Sequence, residues 1–319
     1  MNFTFKKALN YLGFCLCLVS TFFVVKYIQK YISDIDYSQF GALEIAAGLC
    51  LIVTYGACNL ILAVVWKHVL SYLEVKISSY ESAKIYGRSQ LIKYVPGNIL
   101  HLTGRQAMGM SIGLPSVRVA KSIVLELGLS AFAGCFFVLL VLPLRWSFVP
   151  EFLSIIGFAI AIAGTSFLIK KILGSALTRA FLWQTLFLVL TGLNFVIVLK
   201  IVTSQSPVSL ASFHLCGAYT VAWLVGLVTP GAPAGAGVRE LVLMFLLGDY
   251  YPESQLLASV LLTRLITIGG DLVFFLAFVF IKQRDWNALT KVKKATQPHD
   301  RSKAALKEAL KETDESRIH

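Results

Sequence analysis

Seven times along this chain a run of apolar residues reaches the length of a membrane-spanning helix, with only short polar gaps between runs: about Ala8–Val25, Phe40–Trp66, from the entry marked by Arg118 and Lys121 to Leu144, Phe152–Ile169, Phe181–Val198, Leu210–Val228 and Leu256–Ile281. A helix rises 1.5 Å per residue, so about 20 residues cross the roughly 30 Å hydrocarbon core of a bilayer. Lipid offers the backbone no hydrogen bonds, so each run must satisfy its own peptide groups as a helix. The expected fold is therefore all-α, a polytopic integral membrane bundle of about seven full spans. Composition agrees: 57% of residues are hydrophobic and 14% charged, against about 45–50% and 25% in soluble domains. The gaps leave no room for a soluble catalytic domain, and the expectation is a protein that is not an enzyme.

The net charge of +12 would suit nucleic acid, but Lys67, Lys76, Lys84, Arg88, Lys93, Lys170, Lys171 and Arg179 stand in short loops beside spans, where the positive-inside bias accounts for them. Nucleic acid is not an expected partner. Cys15, Cys17, Cys50, Cys58, Cys135 and Cys216 fall within apolar runs without metal-ligand spacing and read as small buried side chains. No metal or other cofactor is expected. Lys6 and Lys7 ahead of the first run place the N-terminus in the cytoplasm, although Lys26 and Lys30 then lie on the far side. Asp34-Ile35-Asp36 spells the Asp-x-Asp of metal-dependent glycosyltransferases, but it reads as a hydrophilic turn with no domain around it to hold a nucleotide sugar.

Two stretches break the pattern. Tyr94-Val-Pro-Gly-Asn-Ile-Leu-His-Leu-Thr-Gly-Arg105-Gln and Thr229-Pro-Gly-Ala-Pro-Ala-Gly-Ala-Gly-Val-Arg239-Glu each set a Pro-Gly pair ahead of an arginine, with nine residues from Pro96 to Arg105 and nine from Pro230 to Arg239. Proline frees a carbonyl and glycine lets the backbone turn. Val238–Leu247 supplies ten residues before Gly248, roughly 15 Å of helix, too short to cross alone. Two Pro-Gly-broken, re-entrant segments forming a pseudo-repeat are expected. Helix starts aimed into the bundle beside an arginine make anion sites, and paired broken helices point to a transporter's binding site. The candidate site for an anionic head group comprises Pro96, Gly97, Asn98, His101, Gly104 and Arg105 in the first break, Pro230, Gly231, Gly235, Gly237, Arg239 and Glu240 in the second, and Glu126 and Arg264 on neighbouring spans. A second reading stays open: Arg105, Arg239 and Arg264 paired with Glu126, Glu240, Asp271 or Glu44 to hold helices together. Arg239 and Glu240 are adjacent, about 100° apart on a helix, and do not suit each other. His101 and His214 read as buried hydrogen-bonding residues.

Ser71–Ile85, with Leu73, Ile77 and Tyr80 on one helical face, reads as an amphipathic helix lying at the membrane interface. Residues 1–285 form the expected transmembrane domain, and 286–319 a basic, cytoplasmic tail, flexible or briefly helical at Ser302–Glu315. Seven spans from a cytoplasmic N-terminus would put that tail outside, so one extra crossing is expected from a broken segment.

The paired motifs resemble the transmembrane module of lysylphosphatidylglycerol synthases and its stand-alone flippase-like relatives, over about residues 5–285. Ala234 and Ala236 depart from the family's more frequent glycine and larger aliphatic residue, and the synthases' aminoacyl-transferase domain has no counterpart, so synthesis of the lipid is not expected. The resemblance implies a multi-pass inner or plasma membrane protein with re-entrant helices that moves a lipid between leaflets, with the candidate residues in functional or fold-defining positions. The expected function is movement of a phosphate-bearing lipid or lipid-linked saccharide head group. The membrane lipid would be its partner, with a separately encoded lipid- or glycan-modifying enzyme as a further one. Alternatives are a secondary transporter of a small soluble anion and a non-transporting protein that presents lipid to such an enzyme.

Overall fold

The structure is a computed structural model that describes residues 41–94, 100–146, 148–203, 211–229 and 237–279. The expected first span, Asp34 and Asp36, and the 286–319 tail lie outside the described residues. Among the described residues every regular element is a helix: α1 (Ala42–Tyr72), α2 (Ser79–Ser89) running into a 3₁₀ turn (Gln90–Tyr94), α3 (Leu100–Ser111), α4 (Ser116–Cys135), α5 (Val138–Arg145), α6 (Glu151–Ile172), α7 (Ser175–Thr203), α8 (Ala211–Val228), α9 (Val238–Leu247) and α10 (Glu253–Val279). Five segments are long and apolar enough to cross a membrane: α1, the nearly continuous α4–α5, α6, α7 and α10. This is a membrane protein. The helix α8 is apolar but shorter, and α3 and α9, of 12 and 10 residues, extend only roughly 18 and 15 Å.

Small residues let the central helices close on one another. Where α1 crosses α10, a Cβ added at Gly270 would lie 2.8 Å from the Ile52 carbonyl oxygen and 2.9 Å from the Gly56 nitrogen. Trp66, Phe137, Phe181 and Phe195 fill the interior completely buried. In contrast, Phe152, Ile156, Ile160 and Phe167 leave α6 an exposed apolar surface, which is the condition of a helix solvated by lipid. Cys216 is buried where α8 meets Gly192 of α7, but the expectation of buried cysteines fails for Cys50 and Cys135, which are exposed, and Cys58 is half-buried; all four are free thiols.

The expected interfacial helix at Ser71–Ile85 is not one helix. Ser71 and Tyr72 end α1, and Glu74 takes a left-handed φ of 59° that turns the chain. A new helix then starts on a capping box, with the Ser78 hydroxyl accepting the Glu81 N–H at 3.2 Å and the Glu81 carboxylate accepting the Ser78 N–H at 3.4 Å. Ser82, Ile85, Tyr86, Gly87 and Ser89 of this helix are buried against α1, α3 and α10. The apolar spacing misled because Leu73 and Ile77 belong to the turn.

Polar contacts fix which ends lie together. Arg118 at the start of α4 donates to the Glu74 carbonyl at 3.2 Å, just past the end of α1. Arg145 at the end of α5 reaches Asp249 at 3.2 Å, and the Tyr250 hydroxyl donates to the Leu144 carbonyl at 2.9 Å, just past the end of α9. Since α4 and α5 form one 30-residue stretch, these are opposite ends of the bundle. The turn through Gly113, at φ +93°, carries α3 into the α4 start. The two short helices therefore finish at opposite ends. Lys67, Arg118, Lys121, Lys170, Lys171 and Arg179 gather at the α3 end, whereas Glu44, Glu151, Asp249 and Glu253 gather at the other, where Arg145 and Lys200 are the basic residues. By the positive-inside bias the first end would face the cytoplasm. In a cysteine-free background, Ser116→Cys should react with a membrane-impermeant maleimide from the cytoplasmic side only, and Ser254→Cys from the opposite side only; labelling of both from one side would contradict this arrangement.

Candidate functional site: a charged cavity inside the bundle

Between the long helices lies a cavity of about 310 Å³, at the lower end of the roughly 300–1,000 Å³ of small-molecule sites. Four basic side chains line it, Lys93, Arg105, Arg239 and Arg264, against two carboxylates, Glu126 and Asp271. Charged groups inside a bundle cost roughly 2.5–3.5 kcal/mol each on insertion scales, so how each is compensated decides what the cavity can do.

Arg105 on α3 pairs with Glu126 on α4, Nη1 to Oε2 at 2.5 Å. Its guanidinium also lies 3.9 Å from the ring centre of Tyr86, close enough for a cation–π attraction, and the Tyr86 hydroxyl donates to the other Glu126 oxygen at 2.7 Å. The second short helix repeats the device with the roles exchanged: Glu240 on α9 accepts Arg264 of α10 at 2.8 Å. Each short helix is thus tied to the long helix that follows it by one arginine–carboxylate pair.

Asp271 is the most heavily bonded acid. It is fully buried on α10 and takes the Lys93 ammonium at 2.6 Å, Asn59 Nδ2 at 2.9 Å, Gln90 Nε2 at 2.8 Å and the Tyr94 hydroxyl at 2.5 Å. Gln90 also donates to Asn59 Oδ1 at 3.1 Å. The carboxylate thus joins α1, the 3₁₀ turn and α10. Sequence reasoning gave Asp271 no role beyond pairing with an arginine, placed Lys93 among loop cations, and passed over Asn59 and Gln90. The available signal was Asn59, an amide in the middle of an apolar run.

Arg239 differs from all of these. Gly237, at φ +83°, lets the chain turn directly into α9, and its carbonyl accepts the Leu241 N–H at 3.1 Å, which puts Arg239 in the first helical turn. The side chain sits beside Tyr219 and Arg264 at the cavity wall. Among the described residues it makes no ion pair, and its Nε is buried without a hydrogen-bond partner. Of the two readings of the arginines, carboxylate pairing therefore describes Arg105 and Arg264, and leaves Arg239 open.

The remaining candidates separate as follows. Gly104 faces the 3₁₀ turn, where an added Cβ would run into the Ile92 side chain. Pro96, Gly97, Asn98, Pro230, Gly231 and Gly235 lie outside the described residues, as does the side chain of His101. His214 is buried away from the cavity, with Nδ1 2.8 Å from the Leu140 carbonyl and Nε2 3.8 Å from Glu151. Glu44 stands at the outer end of α1 and pairs with none of the three arginines. No cluster of three or more metal-binding side chains occurs among the described residues.

Removing the carboxylate in Asp271→Ala would strand an ammonium and three donors, and breaking a buried pair costs about 3–5 kcal/mol. A large fall in melting temperature and folded yield in detergent is expected, with a smaller one for Asp271→Asn, which keeps an acceptor; unchanged melting in Asp271→Ala would contradict the role assigned to it. Among known proteins, no family model matches this chain and no curated protein matches it.

Proposed function

We propose that this protein is a multi-pass cell-membrane transporter of the flippase type, which binds the phosphate-bearing head group of a lipid or lipid-linked saccharide in the central cavity and lets it pass between leaflets. The observation that carries the reading is Arg239: a guanidinium in the first turn of a short helix, at the wall of a cavity among membrane helices, with no carboxylate of the described residues holding it. A phosphate would complete it with two parallel hydrogen bonds and meet the positive end of α9 as well. With Lys93, Arg105 and Arg264 each paired to a carboxylate, Arg239 leaves one unbalanced positive charge at the wall, which favours an anion over a neutral or cationic ligand.

In this account α3 and α9 are re-entrant half-helices that approach the cavity from opposite faces, as halves of an inverted repeat. The break and α9 then carry the chain back to the end from which α8 set out, and this extra crossing returns the basic tail to the cytoplasm. Arg105 and Arg264 are second and third phosphate ligands, each held by a carboxylate that an arriving anion displaces. Exchange of Glu126 for phosphate on Arg105 would loosen α3 from α4, and exchange of Glu240 on Arg264 would loosen α9 from α10. A head group moving along the cavity would thereby release one short helix and then the other. The acyl chains stay in the bilayer. Movement is passive or coupled to an ion gradient, and Pro96, Gly97, Asn98, Pro230, Gly231 and Gly235 shape the breaks that let the head group approach backbone.

Purified protein in liposomes with a labelled anionic lipid should speed leaflet exchange over empty liposomes, and Arg239→Lys should lower the rate about tenfold, because an ammonium cannot reproduce the fork-shaped grip on phosphate. Exchange no faster than in empty liposomes, across several anionic and saccharide-linked head groups, would overturn the flippase reading. Near-normal rates in both Arg105→Lys and Arg239→Lys would remove phosphate recognition from it.

A further inference from the structure

Most hydroxyls on the cavity wall are already engaged. Serine and threonine in a helix reach back to a carbonyl of the preceding turn, and Ser89, Ser130, Thr191 and Thr267 all do so, at 2.8–3.1 Å. A phenol stands too far from its own backbone for that, so a tyrosine needs a partner from elsewhere. Tyr86 has Glu126, and Tyr94 has Asp271. Tyr55 on α1 and Tyr219 on α8 also line the cavity, each 8% exposed, and neither hydroxyl makes a hydrogen bond among the described residues. Neither oxygen is closed off by the protein around it, so both open into the cavity that their side chains line.

These two hydroxyls belong with Arg239. Tyr55 and Tyr219 both lie within electrostatic reach of its guanidinium, and Tyr55 within reach of Tyr219. Arg239 Nε is shut away, but its two terminal nitrogens are neither bonded nor closed off among the described residues. The neighbouring carboxylates are engaged elsewhere, Asp271 with Lys93 and Glu240 with Arg264. Three helices thus bring donors to one region, and no acceptor of the described residues is bonded to any of them. A hydroxyl left without a partner away from bulk water is destabilising. A water accepts at most two hydrogen bonds, so one water cannot meet a guanidinium and two phenols together, whereas an oxyanion has lone pairs for all three.

We infer that Tyr55, Tyr219 and Arg239 form a three-donor clamp for an oxyanion, in which the two phenols are binding residues beside the guanidinium. This rests on the phosphate site proposed above and deepens it. Tyr219 precedes the second break in the chain and Arg239 follows it, while Tyr55 belongs to α1, which packs closely on α10 at Gly56 and Gly270. A bound anion therefore draws the two helices flanking that break onto the scaffold, and its departure releases them.

The test uses Tyr55→Phe and Tyr219→Phe, which keep the rings, including the stack of Tyr219 on Phe195 at 4.8 Å, and remove only the donors. Two readouts are taken: leaflet exchange of labelled phosphatidylmethanol in proteoliposomes, and melting of the purified protein in sodium dimethyl phosphate against sodium chloride at equal ionic strength. Each variant should melt in chloride as the wild type does, because no bond within the protein is lost. Each should also lower the exchange rate and the apparent affinity for dimethyl phosphate about tenfold, the scale of one hydrogen bond to a charged group. Wild-type rates and affinities in both variants would overturn the clamp and leave the phosphate reading of Arg239 standing. Lower melting in chloride, or failure of both variants to accumulate, would show that the hydroxyls hold the fold and would overturn it as well. If the wild type exchanges no lipid but dimethyl phosphate raises its melting temperature through the two tyrosines, the clamp is upheld and the flippase reading falls. Neither exchange nor a rise in melting temperature would overturn both.

Discussion

An ionised side chain among membrane helices persists only if something takes the place of the water it gave up, and most of this structure follows from how its interior charges meet that condition. Asp271 is satisfied by a lysine, two amides and a phenol from three separate elements, which makes it a fixed joint. Arg105 and Arg264 are satisfied by one carboxylate each. A single ion pair is a weaker joint than a four-donor cluster, because one competing anion can replace it. Among the described residues Arg239, in the same cavity, lacks even that. In the proposed function, the gradient from fully bonded to open separates the groups that hold the bundle together from those available to a ligand.

The same gradient maps onto the architecture. The fixed joint at Asp271 lies where long helices cross at closely packed glycines, Gly56 and Gly270. The replaceable pairs sit between each short helix and the long helix after it, and the short helices end at opposite ends of the bundle. In the proposed function, rigid scaffold and releasable parts are therefore different segments of the chain, with the cavity between them. The mirrored use of arginine and carboxylate, Arg105 with Glu126 and Arg264 with Glu240, gives the two halves similar strength but opposite placement of the acid.

Much of this was legible in the sequence because lipid leaves the backbone few choices. Among the described residues the apolar runs became helices close to their expected bounds, and the ten residues after Gly237 form α9 from Val238 to Leu247. Two things were not legible. The helix read at Ser71–Ile85 depended on spacing alone, which cannot register that Glu74 adopts a left-handed turn in its middle. The difference between Arg105 and Arg239 was hidden because both follow a Pro-Gly break at the same offset; what separates them is a carboxylate on the next helix, and only packing decides which arginine it reaches. The cluster on Asp271 was missed for the same reason, since Asn59 and Gln90 are 212 and 181 residues away along the chain.

The central claim is that Arg239 is left open for an anionic head group, and the most direct measurement is an experimental structure of the protein in nanodiscs containing anionic lipid. The account predicts tetrahedral density within hydrogen-bonding distance of the Arg239 guanidinium, inside the cavity and continuous with a chain leading into the bilayer. An Arg239 paired with a carboxylate of the protein itself, in a cavity without head-group density, would contradict it.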